Sequence, residues 1–264
     1  MEHIKSLLQN IDTAEFVLVG IGREFAFSEK DFENTTTRLL FDERLEKLEL
    51  FSFFYHVLRK RWMLENPNEK LMAAYKNLAE LCRDKNYYVI SLCYDDLIFE
   101  SGLRENRIVT PCGGFRRLQR MTEHQSEIVS AVETCEIEQE VLRAFDERNF
   151  VLLEAVNQKY QGQNLAYNCI LCEEYDEEGY LDAWGKYLKW LQGTLNRSVC
   201  VLELGVDLQF PSVIRWPFEK VAIYNQKATF YRIHEWLHQL PVELHGRGVS
   251  IEENSVNFLG KLFV

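Results

Sequence analysis

Short, uninterrupted apolar runs recur along this chain, and most of them are separated by helical patterns. A strand buried on both faces of a parallel sheet reads as such a run, because neither row of its side chains meets water. Turn residues lie at the ends of several of these runs. The predicted strands are Phe16–Val19, Tyr87–Leu92, Arg107–Thr110, Val199–Leu204, Val221–Tyr224, Thr229–Ile233 and Val249–Ile251.

Between these runs, apolar residues return at spacings of three and four, the period of an amphipathic helix. Helices are predicted at Arg38–Trp62, Glu69–Arg83 and Tyr180–Leu195, with a short one at His234–Leu240. Strands joined by helices imply right-handed crossovers between parallel neighbours. The sequence therefore predicts an α/β fold, a Rossmann-like and mostly parallel sheet with helices on both faces.

The region from Gln119 to Asp182 has a different character. It is polar, acidic and rich in Glu and Gln, with helical patches near 136–148. We interpret it as a smaller, largely helical insertion outside the sheet.

The overall charge narrows the choice of partners. The net charge is −11 and the pI is about 5.2. Neither nucleic acid nor an anionic membrane is expected as a partner, because binding phosphates requires a basic face that no Lys/Arg run supplies. The sequence has no apolar run of about 18 residues, so no membrane span is predicted. Seven cysteines at irregular spacing suit a reducing compartment, and with no secretory signal pattern we expect a cytoplasmic location.

Two glycines follow the first predicted strand, as Gly20-Ile21-Gly22. Glycines at such a turn let the main chain approach a pyrophosphate. The alternative interpretation is a turn that simply closes the strand. Position directly after a buried strand favours the nucleotide interpretation.

Acidic residues and cysteines mark the ends of the next two strands. Asp95 and Asp96 follow the strand that ends at Leu92, and Cys93 lies between. Cys112 follows the next strand in a Pro-Cys-Gly-Gly turn. Ligands of α/β sheets gather at the carboxyl ends of the strands, so these residues are candidates for a site.

Four stretches together resemble the sirtuin (Sir2-type) family. Gly20–Gly22 is similar to the glycine turn of that family, and the segment from Ser91 to Asp95 is similar to its TxNxD motif. Cys112-Gly113 falls where the family has His-Gly. The segment LELGVDLQFPSVIRWPFEK, from Leu202, is most similar to the branch related to macrodomain-linked sirtuins.

The resemblance implies one sirtuin-like unit with two parts. The Rossmann-like large domain would comprise 1–28, 84–118 and 196–264, and the small domain the insertions 29–83 and 119–195. It also implies NAD as the ligand and NAD-dependent deacylation or ADP-ribosyl transfer to a modified protein as the activity. The implied catalytic residues are Asp95, Cys112 and Cys93. The implied nucleotide-binding residues are Gly20, Ile21, Gly22, Arg23, Glu24, Gly205, Val206, Asp207 and His234.

The chain departs from the family at the positions of its catalytic residues. Cys93 replaces the catalytic Asn, and Cys112 replaces the general-base His. A thiol has a pKa of about 8.5 in water, and nearby acids such as Asp95 tend to raise it. Arg23-Glu24-Phe25 stands where the family has small residues.

Three functions therefore stay open. The protein is an NAD-dependent transferase that relies on Asp95, or a pseudo-sirtuin that binds NAD or ADP-ribose as a sensor or scaffold, or a module whose Arg23–Phe25 segment fills the nucleotide site. In the second case Cys93 and Cys112 are small apolar fillers or a redox-sensitive pair.

The family's zinc module is also incomplete. A structural zinc site usually has two CxxC pairs, whereas this chain retains one, Cys169 and Cys172. Only Cys135 and His124 are left to complete a tetrahedron. We therefore expect two structural cysteines and no bound zinc.

Overall fold

The computed structural model describes residues 2–28, 32, 44–121 and 125–263. Its main sheet has six strands in the order β3-β2-β1-β7-β8-β9, and all neighbouring pairs are parallel. The strands of this sheet are β1 (Phe16–Ile21), β2 (Asn86–Ser91), β3 (Ile108–Val109), β7 (Val199–Leu204), β8 (Ala228–Ile233) and β9 (Gly248–Ile251).

Helices cover both faces of this sheet, since β7 buries all six of its residues. The α/β fold predicted from the sequence is confirmed. The helices of the described residues are α1 (Glu2–Thr13), α2 (Phe51–Glu65), α3 (Glu69–Cys82), α4 (Ala131–Asp146), α5 (Phe150–Tyr160), α6 (Glu178–Gln192), α7 (Arg215–Tyr224) and α8 (Ser255–Gly260). None of them has the length and apolar composition of a membrane-spanning segment.

Two of the predicted elements are wrong. Val221–Tyr224 is the last turn of α7 and not a strand. The buried residues of α7 include Phe218 and Ala222, which are four apart and therefore share one helix face. Residues 234–240 form an irregular loop instead of a helix; its first turn is held by the side chain of His234, which accepts the backbone N–H groups of Trp236 and Leu237.

The chain divides into two compact units. The first contains Met1–Ala26, Asn68–Cys112 and Tyr180–Val264, and it includes the six-stranded sheet. The second contains Phe27–Pro67 and Gly113–Gly179. The sequence places residues 68–83 and 180–195 in the small domain, whereas this division groups them with the sheet.

Helix α3 illustrates how the first unit is built. The Asn68 side chain caps it by accepting the N–H of Leu71 at 3.1 Å. The buried face carries Leu71, Tyr75 and Leu78 at helical spacing, which matches the predicted amphipathic pattern. This packing buries the Tyr75 side chain completely.

The second unit contains a three-stranded antiparallel sheet that the sequence does not predict. Its order is β5-β4-β6, with β4 at Gly113–Met121, β5 at Ser126–Ile128 and β6 at Ala166–Cys169. The pairing of β4 with β6 shifts register between Gly113 and Leu118. Such an irregularity breaks the period-two alternation by which a half-buried strand is recognised.

Candidate functional site

The turns after β1 and β7 are in direct main-chain contact. The Gly22 N–H donates to the Leu204 carbonyl at 2.9 Å. A Cβ atom on Gly22 would lie 2.3 Å from both the Gly205 carbonyl oxygen and the Val206 Cα. Gly205 itself has φ +61°, in the left-handed region that favours glycine. Both glycines are therefore required by the approach of the two turns.

Glu24 lies in the short 3₁₀ turn Arg23–Phe25 that follows Gly22. One carboxylate oxygen, Oε1, accepts the N–H of Glu235 at 2.9 Å. The other, Oε2, accepts both the N–H and the Oγ–H of Ser255 at 2.6 Å. An acidic side chain of the glycine turn thus occupies main-chain donors beyond the ends of β8 and β9.

His234 follows β8, and two backbone N–H groups hold its ring. Its Nδ1 accepts the backbone N–H groups of Trp236 at 3.0 Å and Leu237 at 3.1 Å. Burial, the largest cause, lowers its pKa, and Arg215 acts in the same direction, although Glu24 opposes it. Nδ1 lies 3.3 Å from Oε1 of Glu24.

Arg23 and Asp207 lie toward solvent at the same edge. The Arg23 guanidinium donates to Gln209 Oε1 at 2.9 Å and lies 3.9 Å from Asp207 Oδ2. Asp207 Oδ1 accepts the N–H of Gln209 at 2.9 Å. An exposed pair at this separation contributes little stability, so Arg23 can rearrange at low cost.

Cys93, beyond the end of β2, is a buried thiol that donates to the Gly22 carbonyl, with 3.4 Å between sulfur and oxygen. Burial first, and then the negative charge of Asp95, raise its pKa well above the ordinary value. Both causes favour the protonated thiol.

Cys112 lies beside Cys93. The parallel register pairs Val89 with Ile108 and Ile90 with Val109, and each cysteine follows three residues after the second pair. Cys112 is also one of the charges that raise the pKa of Cys93. Both side chains are buried.

Asp95 is buried as well, and its Oδ1 accepts the N–H of Leu97 at 3.1 Å. This bond closes a tight turn in which Asp96 adopts φ +62°. The turn sets the direction in which the chain leaves the sheet.

A buried charge network below the site is missed by sequence reasoning. Arg232 of β8 donates to both carboxylate oxygens of Glu203 of β7, at 2.7 and 3.0 Å, and to Glu219 of α7 at 2.6 Å. Arg215 donates to the carbonyl oxygens of Val206 at 2.9 Å and Leu237 at 2.5 Å. The available signal is Glu203, a charged residue inside an otherwise apolar strand.

The Cys172 turn of the second unit is held by the side chain of Gln119. The Gln119 side chain donates to Cys172 Sγ at 3.2 Å and to the Glu174 carbonyl at 2.7 Å, and it accepts from Asn168 Nδ2 at 2.7 Å. Cys135 is exposed on α4, and His124 lies outside the described residues. Among those residues, no group of three or more His, Cys, Asp or Glu could hold a metal ion. Amide hydrogen bonds hold this turn.

Comparisons with known proteins identify the fold. No family model and no curated protein matches the sequence. A Sir2 homologue carrying a histidine-to-asparagine substitution, solved in complex with ADP-ribose, has 12% identity and a TM-score of 0.55 over 98% of this chain and 94% of that one. A Sir2 histidine-to-tyrosine variant, solved with a peptide and NAD, has 13% identity and a TM-score of 0.52 over 97% of this chain and 95% of that one.

A third similar structure is Sir2 in complex with an inhibitor, 2′-O-acetyl-ADP-ribose and a deacetylated peptide. It has 13% identity and a TM-score of 0.51 over 97% of this chain and 95% of that one. The likeness in all three cases spans nearly both whole chains. This chain therefore has the sirtuin fold, as its sequence motifs predict.

Proposed function

We propose that this protein binds NAD or ADP-ribose through its sirtuin fold without carrying out deacylation, and that it acts as a nucleotide sensor or binding scaffold. The binding residues would be the turns after β1 and β7, with Gly22 and Gly205, and the end of β8 at His234. Solved structures of the same fold hold NAD and ADP-ribose, which supports the choice of ligand.

The burial and raised pKa of the Cys93 thiol support the proposal that the protein does not carry out deacylation. A general base must take up a proton near the working pH. The Cys93 thiol is buried, its pKa is raised, and its proton is donated to the Gly22 carbonyl. At the position of the family's histidine, Cys112 is likewise buried.

A second candidate function is NAD-dependent transfer, and one observation favours it. Asp95 keeps a carboxylate at the end of β2, held by the Leu97 N–H. When the bond between nicotinamide and ribose C1′ breaks with its electrons leaving on nicotinamide, positive charge develops on the ribose. Asp95 would stabilise that charge, and water or a modified protein would be the acceptor at C1′.

Two measurements on the whole protein test both functions. A ligand at 100 times its Kd adds about 2.7 kcal/mol of apparent stability, so we expect thermal shifts with NAD and with ADP-ribose. We also expect nicotinamide release from NAD, and deacylation of an acetylated peptide, to stay at the level without protein. If neither NAD nor ADP-ribose shifts the melting temperature, nucleotide binding is contradicted.

Nicotinamide release above background would favour the transferase, provided that Asp95→Asn abolishes it. The matched control is Asp182→Asn, which removes a carboxylate with an 85% exposed side chain on α6. Release that survives Asp95→Asn would remove Asp95 from the reaction.

A further inference from the structure

Tyr75 is a buried polar residue next to the glycine turn that the nucleotide site does not otherwise use. It projects from α3 with 0% of its surface exposed. Its ring packs against Phe25 of the glycine turn, with 5.1 Å between ring centroids and 58° between planes. The Tyr75 hydroxyl lies beside the Cys93 thiol, and within the described residues it makes no hydrogen bond of ordinary geometry. Burying a hydroxyl without a hydrogen-bonding partner costs free energy. A ligand that supplies an acceptor to this hydroxyl would recover that cost.

The groups around the hydroxyl define what it can bind. Burial is the largest cause that raises the pKa of Tyr75 well above its ordinary value, followed by the nearby Cys93 and Asp95, with a smaller contribution from Asp96. The phenol therefore stays protonated and can donate. Two aspartates beside it disfavour a phosphate at this position, because like charges repel.

We infer that the Tyr75 hydroxyl is a positioning group, which donates a hydrogen bond to an uncharged acceptor of the bound nucleotide. A hydroxyl of the ribose distal to the adenine has this chemistry, and a phosphate does not. The inference rests on the proposed function, since it names the part of the nucleotide that meets the end of β2.

Another tyrosine provides a matched control. The Tyr231 hydroxyl, on β8 of the same unit, accepts from Asn10 Nδ2 at 2.6 Å and shares a hydrogen bond with Ser6 Oγ at 2.7 Å. Its partners are all within the protein. Tyr231→Phe should therefore lower stability and leave ligand preference unchanged. Tyr75→Phe should instead leave stability no lower than that of wild type and change ligand preference.

The experiment compares two ligands that differ in the distal ribose and, because ADP ends in a free phosphate, in charge. ADP-ribose carries this ribose, and ADP lacks it. Calorimetric titration of wild type, Tyr75→Phe and Tyr231→Phe gives the ratio of their dissociation constants for each protein. We expect Tyr75→Phe to weaken ADP-ribose binding about fivefold and to leave ADP binding unchanged. Its ligand-free melting temperature should be no lower than that of wild type.

Each alternative result has a distinct meaning. If Tyr75→Phe weakens the binding of ADP-ribose and ADP equally, or weakens the binding of neither, the inference is overturned while nucleotide binding still stands. A clear drop in the ligand-free melting temperature of Tyr75→Phe would also overturn it, because the hydroxyl would then have a partner in the protein. If wild type binds neither ADP-ribose nor NAD, the proposed function fails, and the inference fails with it.

Discussion

The carboxylate of Glu24 should weaken the binding of anionic nucleotides, and Glu24→Gln tests this. The substitution keeps the length of the side chain and one acceptor oxygen, and it removes the negative charge. In the native chain this carboxylate accepts hydrogen bonds from Glu235 and Ser255 at 2.6 to 2.9 Å. A single amide oxygen cannot serve both sides, so at least one of these bonds is lost.

The magnitude follows from Coulomb's law. Two unit charges about 6 Å apart, at an effective dielectric constant of about 20, repel by about 3 kcal/mol. Glu24 is mostly buried, with its side chain 10% exposed, so solvent screens it only in part. After a discount for that screening, we expect ADP-ribose to bind at least about tenfold more tightly to Glu24→Gln than to wild type. The loss of charged hydrogen bonds should lower the ligand-free stability by roughly 1–3 kcal/mol.

Calorimetry at two ionic strengths is the assay. The Debye length falls from about 10 Å at 0.1 M salt to about 3 Å at 1 M, so the gain in affinity should shrink with salt. Adenosine, which carries no charge, should bind both proteins equally. Glu253→Gln is the control, because it removes the same charge from a carboxylate that pairs with Lys261 at the surface. An unchanged or weaker affinity for ADP-ribose, or an equal gain for adenosine, would refute the reasoning.

Four further predictions follow from the packing and the charges. Gly22→Ala should lower the free energy of unfolding by about 1–3 kcal/mol, measured with denaturant, because its Cβ would meet main-chain atoms at 2.3 Å. Arg232→Met should cost about 3–5 kcal/mol, because it leaves the buried Glu203 without its main partner; a smaller loss in the same denaturant series would contradict this. The pKa of His234 is lowered in the folded protein. Its contribution to stability should therefore be complete at pH values above the unfolded-state pKa of about 6.5, and it should be lost as the pH falls below that value. His234→Asn should flatten this part of the pH–stability profile. Gln119→Leu should lower the melting temperature because four hydrogen bonds of the Gln119 amide disappear, while a chelator should leave that of wild type unchanged; a chelator-induced drop would indicate a metal.

The strands of the main sheet could be predicted because of how they are buried. The sequences of β1, β2 and β7 are largely apolar on both faces, which gives a signal that needs no partner to be recognised. The same signal fails for Val221–Tyr224, since a short apolar run does not distinguish a strand from the last turn of a helix. The bulged strand β4 gives no clear period at all.

The candidate site shows a similar division. The turn after each strand of a parallel sheet reaches the same edge, so the positions of Gly22, Asp95 and His234 there follow from the order of the strands. The bonds of Glu24 to Ser255 join residues 231 positions apart, and no local pattern carries that information. Tyr75 is likewise one of several apolar-face residues of α3, and only the packed structure distinguishes it from its neighbours.

Arg215 has a consequence for anyone who redesigns this protein. Its guanidinium holds the carbonyl of Val206 in one loop and that of Leu237 in another. Neither loop can be exchanged alone without leaving a buried cation short of an acceptor. A graft of this edge of the sheet onto another scaffold should therefore transfer both loops together, with Arg215 and the carboxylate of Glu203, which lies 3.7 Å from it.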